Sequence, residues 1–127
     1  MTKGIGIDAV SISEIERYME TFGDTFIKRT FTEQEVVMSQ LSAHPAEYLA
    51  TRFAAKEAVF KAIAHFTKDK GFDLRIVETL NEADGYPAVQ MKGKLLSLAE
   101  EAGVAAINIT MTTEKDFAMA FVVAEAV

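Results

Sequence analysis

Whatever this chain folds into has to accommodate one long helix. The stretch AEYLATRFAAKEAVFKAIAHF, residues 46–66, has no glycine or proline across some five turns and is rich in alanine, the strongest helix former. Pro45 stands just before it and suits a first helical turn, where a missing N–H costs nothing. At about 100° per residue, Leu49, Phe53, Phe60 and Ile63 fall within a narrow arc, the stripe expected to face a core. Glu57 lies about 40° beyond Phe53 on one flank, and Lys61 about 40° further round. Glu57 is therefore expected at the border between core and solvent.

The segments around this helix set the fold class. KGIGID at residues 3–8 alternates, with Ile5 and Ile7 on one face and Gly4, Gly6 and Asp8 on the other, as in a strand. Strand glycines let another backbone or a ligand approach closely. Ser11 with Glu14, and Thr32 with Glu35, have capping-box spacing and open two helices, the first ending near Gly23 and the second near Leu41. DLRIVETL (73–80) and AVQMK (88–92) read as strands joined through NEADGYP, and Gly93–Ala102 as an amphipathic helix closed by Gly103. AAINITMTT and DFAMAFVVAEA read as two apolar strands turning through Glu114-Lys115. The expectation is one α+β domain over residues 1–127, a long central helix packed on a mostly antiparallel sheet.

Composition narrows the function. The formal charge is −6 with no basic run, which disfavours nucleic acid, and no segment is long and apolar enough to span a membrane. There is no cysteine, hence no disulfide, thiolate metal site or thiol nucleophile, in keeping with a reducing cytoplasm. His44 and His65 lack metal-ligand spacing, Gly4 and Gly6 lack the third glycine of a dinucleotide fingerprint, and no GxSxG is present.

Two carboxylates remain. Asp8 ends a strand before a helix, where it can solvate the helix N-terminus. Glu57 and Lys61 have the spacing of an ordinary surface ion pair. The alternative is that a carboxylate on a glycine-lined strand and another at the edge of a long helix converge on one divalent cation. Magnesium suits such oxygen ligands and bridges to substrate phosphates, with Lys61 one turn away for a phosphate.

GIGIDAV at residues 4–10, KRTFTEQE at 28–35 and RFAAKEAVFKA at 52–62 together resemble the acyl carrier protein synthase family of small phosphopantetheinyl transferases. DGYPAV at 84–89 resembles the family's Gly-x-Pro turn, and ITMTTEKDFAMAFVVAE its terminal hairpin. The resemblance implies transfer of 4'-phosphopantetheine from coenzyme A to a serine of apo acyl carrier protein in fatty acid biosynthesis, releasing adenosine 3',5'-bisphosphate. It also implies magnesium on Asp8 and Glu57, catalysis by Asp8, Glu57 and Lys61, and coenzyme A contacts from Arg52, Lys56, Lys61, Pro87 and Thr113. A cytoplasmic homotrimer with sites at subunit interfaces is implied as well. The related alternatives are a transferase for polyketide or peptide synthase carrier domains, and a coenzyme A-binding homologue without transferase activity.

Three positions depart from the family's pattern. AHFTKDKG follows the long helix where many members are glycine-rich, Thr113 stands in place of a histidine, and Glu14 in place of a carrier-docking arginine. Arg17, Lys28 and Arg29 are the nearest replacements for that last charge.

Overall fold

The computed structural model describes residues 1–127. Strand β1 (Thr2–Ser11) precedes four helices, α1 (Ile12–Phe22), α2 (Asp24–Thr30), α3 (Glu33–Gln40) and α4 (Pro45–Ile63). A short hairpin, β2 (Thr79–Asn81) and β3 (Pro87–Val89), leads to α5 (Gly93–Ala102), then to β4 (Val104–Glu114) and β5 (Phe117–Ala126). The architecture is α+β, with α4 lying on an antiparallel sheet of order β1-β5-β4. The first and last strands are thus neighbours, and β1 and β4 are the two edges.

The contact between α4 and β1 explains both the alanines of the helix and the glycines of the strand. A Cβ on Gly6 would stand 1.8 Å from the Ala58 carbonyl oxygen, and one on Gly4 would stand 2.0 Å from that of Ala62. The close approach opened by the strand glycines is taken by helix backbone. Ala54, Ala55, Ala58 and Ala62 are all buried. Beyond them, Val59, Phe60 and Ile63 join Leu95, Leu98 and Val122 in the main core, where the Phe60 and Phe72 rings stack at 4.4 Å. A second cluster around Ile15, Phe31 and Leu49 seats α1 and α2. Of the expected core stripe, Leu49, Phe60 and Ile63 are buried and Phe53 half-buried.

The caps fall where the spacing put them. The Ser11 hydroxyl accepts from the Glu14 N–H, and Thr32 with Glu35 forms a complete capping box. Gly103 closes α5 in the left-handed region, at φ 73°.

Elsewhere the structure differs from expectation. Residues 24–30 form α2, which no apolar periodicity announced; its charges, Asp24 in the first turn and Lys28 and Arg29 in the last, match the helix dipole. The α-helical part of the long stretch stops at Ile63, and residues 64–66 form a single 3₁₀ turn. DLRIVETL is not a strand. Leu74–Ile76 is a 3₁₀ turn capped by Asp73, and only Thr79–Asn81 pairs, with Pro87–Val89. The carbonyls of Leu74, Val77 and Thr79 are claimed by side chains of α4 rather than by a ladder.

Ile5 and Ile7 share a face as expected, but it points outward, leaving them 63% and 62% exposed. In register beside them stand Val123 and Phe121 of β5, so the β1–β5 part of this outer face is apolar and uncovered, while β4 sets the exposed Asn108 and Thr110 beside Val123 and Phe121.

Candidate active site

Asp8 comes from the inner face of β1, paired with Ala120 of β5, and points toward α4. Lys61, one turn after Glu57, donates from Nζ to Asp8 Oδ1 and to the Ile7 carbonyl, both at 3.0 Å. Glu57 is half-buried at the border foreseen from helix rotation. Burial pushes its carboxyl up from the ordinary value, the Asp8 carboxylate adds to that rise, and Lys61 opposes it. Two neighbouring carboxylates, Asp8 opposing the ionisation of Glu57 and itself drawing in an ammonium, form a site that favours a cation. No group of three or more His, Asp or Glu assembles here or elsewhere. A magnesium ion fits this donor set, because it commonly takes one or two carboxylates and completes its shell with water and phosphate.

Arg52, Pro87 and Thr113 line a second feature, a cavity of about 410 Å³ completed by Thr51, Met111 and Thr112. The Arg52 guanidinium lies 3.9 Å from the centre of the Tyr48 ring. It donates from Nε to the Thr79 carbonyl at 3.2 Å, from Nη1 to Thr51 Oγ1 at 3.1 Å and from Nη2 to Asn81 Oδ1 at 2.9 Å. Three of its five donors are thus engaged and two are left for a ligand. Tyr48 and Asn81 were not singled out in the sequence; the Tyr48–Arg52 spacing of four, a helical cation–π register, is the signal that could have found the first.

Lys56 corrects an expectation. The family resemblance implies a coenzyme A contact for it, yet its side chain is 0% exposed. Its ammonium pairs with Glu35 Oε1 at 2.8 Å and donates to the carbonyls of Leu74 and Val77, so all three donors are taken inside the protein. Lysine and Glu57 are adjacent in sequence but about 100° apart on the helix, which sends one inward and the other to the border.

The same rotation separates the two candidate sets. Arg52 and Lys61, nine residues apart, project from opposite sides of α4, since nine steps amount to about two and a half turns. Lys61 and Glu57 accompany Asp8 on the β1 edge, whereas Arg52 faces Pro87 and Thr113 near the β4 edge. One chain therefore holds both sets without bringing them together.

The segment after α4 is held by side chains. Thr67 Oγ1 donates to the Ala64 carbonyl at 3.1 Å, and Lys70 Nζ donates to the carbonyls of Ala64 and Thr67. Glu14 accepts from the Tyr18 hydroxyl at 2.7 Å within α1, which keeps it on its own helix.

A two-edged sheet under a helix bearing RFAAKEA, with paired acids and a lysine on one flank, is the arrangement of a transferase family: the chain belongs to the 4'-phosphopantetheinyl transferase superfamily, whose pattern it matches over residues 4–122. Among its relatives is the holo-[acyl-carrier-protein] synthase of Thermodesulfovibrio yellowstonii, 38% identical over 123 residues, 97% of this chain and 98% of that one. The crystal structure of the Neisseria meningitidis holo-[acyl-carrier-protein] synthase superposes with a TM-score of 0.85 at 37% identity, covering 98% of this chain and 99% of that one. The Bacillus anthracis holo-(acyl-carrier-protein) synthase, solved in complex with CoA (3',5'-ADP), has a TM-score of 0.78 at 29% identity and covers 100% and 99% of the two chains.

Proposed function

We propose that this chain transfers the 4'-phosphopantetheine group of coenzyme A to a serine of an apo acyl carrier protein, releasing adenosine 3',5'-bisphosphate. The reading includes magnesium dependence, a role in fatty acid biosynthesis, and a homotrimer in the cytoplasm. The observation that carries it is the Asp8, Glu57 and Lys61 set on one flank of α4, in a chain whose relatives are holo-acyl carrier protein synthases.

Asp8 and Glu57 would hold magnesium, whose chemistry when bound would be to offset charge on the transferring phosphoryl group. Lys61 adds its charge to a coenzyme A phosphate. A Glu57 carboxylate oxygen accepts the proton of the attacking serine hydroxyl, directly or through a bound water. Arg52, Pro87 and Thr113 hold another part of coenzyme A in the cavity they line. An acidic carrier meets Arg17 on α1 and Lys28 and Arg29 on the last turn of α2, where this chain keeps its positive charge near the Glu14 position.

The division of the site between two flanks supports assembly. A β1 edge carrying the acids and a β4 edge carrying the cavity become one site when the edge of one copy lies beside the opposite edge of the next. Such head-to-tail contacts close into rings. The uncovered face of Ile5, Ile7 and Phe121 supplies the apolar surface such a contact needs.

Intact-protein mass spectrometry tests the activity. An apo acyl carrier protein incubated with this chain, coenzyme A and magnesium is expected to gain one phosphopantetheine arm, and to gain none with chelator. No gain, beside a working control transferase, rejects the reading for that carrier; a gain only on a polyketide or peptide synthase domain reassigns the partner. The shared site makes a separate prediction. Glu57→Gln and Arg52→Ala chains, each nearly inactive, regain activity when unfolded and refolded together, because some mixed interfaces pair an intact acid set with an intact cavity. A mixture no more active than its parts excludes the shared site.

A further inference from the structure

Glu35 does more than cap a helix. It is completely buried, and its two oxygens reach three elements. Oε1 accepts from the Lys56 ammonium of α4 at 2.8 Å and from the Thr32 N–H at the start of α3 at 3.0 Å. Oε2 accepts from the Thr79 N–H of β2 at 3.2 Å. Lys56 extends the network to the carbonyls of Leu74 and Val77.

A buried ion pair contributes little to stability on its own account, since an apolar pair of similar volume serves as well or better. A fully bonded buried network instead fixes the groups it touches. What this one fixes is residues 74–81, a segment with one 3₁₀ turn and only three residues of ladder. Thr79 contributes no anchor from its side chain, for its buried hydroxyl has no partner. Its backbone is held on one side by Glu35, and its carbonyl is the acceptor for Arg52 Nε. Two residues on, Asn81 Oδ1 takes Arg52 Nη2.

We infer that Glu35, with Lys56, is a positioning residue for the ligand cavity: by fixing Thr79–Asn81 it sets the plane of the Arg52 guanidinium that a phosphate-bearing ligand meets. This rests on the reading of that cavity as a coenzyme A subsite. The planar fork of arginine makes orientation matter, because two parallel bonds to a phosphate form only over a narrow range of angles. Glu35 and Lys56 need never touch the ligand.

Calorimetric titration with coenzyme A, set beside thermal melts, separates positioning from stability. Wild-type protein that binds no coenzyme A refutes the subsite reading itself. Given wild-type binding, Glu35→Gln is expected to lower Tm by about 10 °C or more, as the loss of one partner leaves a buried charge alone. The Glu35→Leu/Lys56→Met double variant removes both charges and is expected to recover most of that Tm while binding coenzyme A about tenfold or more weakly. If affinity recovers together with Tm, the pair is only structural and the inference falls. Asn81→Ala tests the last link independently of folding, because Asn81 is exposed. Its Tm is expected to stay unchanged and its dissociation constant to rise about three- to tenfold; an unchanged constant breaks the chain from Glu35 to Arg52.

Discussion

Gly6→Ala is expected to cost this protein much of its stability for the sake of one methyl group. The added Cβ would lie 1.8 Å from the Ala58 carbonyl oxygen and 2.8 Å from its carbon, with the Ala62 nitrogen at 3.0 Å. All three are main-chain atoms of α4, so no side chain can turn aside. Either the helix lifts from β1 or the strand gives up its register with β5. Overpacking a core costs about 1–3 kcal/mol where side chains can adjust, and a clash between main chains belongs at or above the top of that range. A loss of about 3 kcal/mol lowers Tm by roughly 10 °C in a domain of this size. The double variant Gly4→Ala/Gly6→Ala meets a second carbonyl, that of Ala62, and is expected to show no cooperative melt by circular dichroism. A wild-type Tm for Gly6→Ala would mean that the helix can step back freely.

Glu57→Gln is expected to move activity and stability in opposite directions. Removing a general base lowers the rate by about two to four orders of magnitude, and loss of a proposed metal ligand adds to that. Full turnover of Glu57→Gln at saturating magnesium would sink the assigned role. The stability effect follows from proton binding. Burial first, and Asp8 second, raise the carboxyl above its ordinary value in the folded protein. The folded state then holds this proton more tightly than the unfolded state does. That contribution favours folding at acid pH and is lost as pH rises through the raised value. Once ionised, and without metal, Glu57 opposes folding. Glu57→Gln should therefore melt higher than wild type at pH 7 in chelator, with the gap closing as pH falls and Glu57 takes up its proton. A lower Tm at pH 7 would contradict this account. Trading stability for a charged site is common among active centres.

Legibility from sequence followed the range of the interaction that decides each element. Capping at Ser11 and Thr32, the start of α4 at Pro45 and the close of α5 at Gly103 are settled within a few residues, and they stand where the spacing placed them. Glu57 at the core border followed from helix rotation alone. Residues 73–80 were misread because their apolar alternation is real but their hydrogen-bond partners are side chains of Arg52 and Lys56, more than fifteen residues away, which no local pattern reveals. The same network misled the reading of Lys56, whose buried partner Glu35 belongs to another helix. Helix α2 has no local signature because its placement depends on Phe26 packing edge-on against Tyr18 of α1 and Phe31 rather than on a stripe of its own. The two-flank division of the site was computable from helix rotation, since Arg52 and Lys61 are about 180° apart. It gained meaning only with the sheet order that puts β1 and β4 on opposite edges.

That sheet order also bears on when the acids can be arranged. Strand β1 finds its only ladder partner in β5, with Thr2 opposite Glu125 and Asp8 opposite Ala120. Pairings between residues so remote in the chain form slowly, because the loop must close before any contact rewards it. On a ribosome, Asp8 is made more than a hundred residues before β5, and it has no strand to lie against until residues 117–126 have followed. Until then the part of α4 that packs on β5 is uncovered, and the apolar β1 is free to pair with another chain. A nascent polypeptide of this design has its greatest need of chaperone protection before β5 is made, and the placing of Asp8 beside Lys61 waits on that strand.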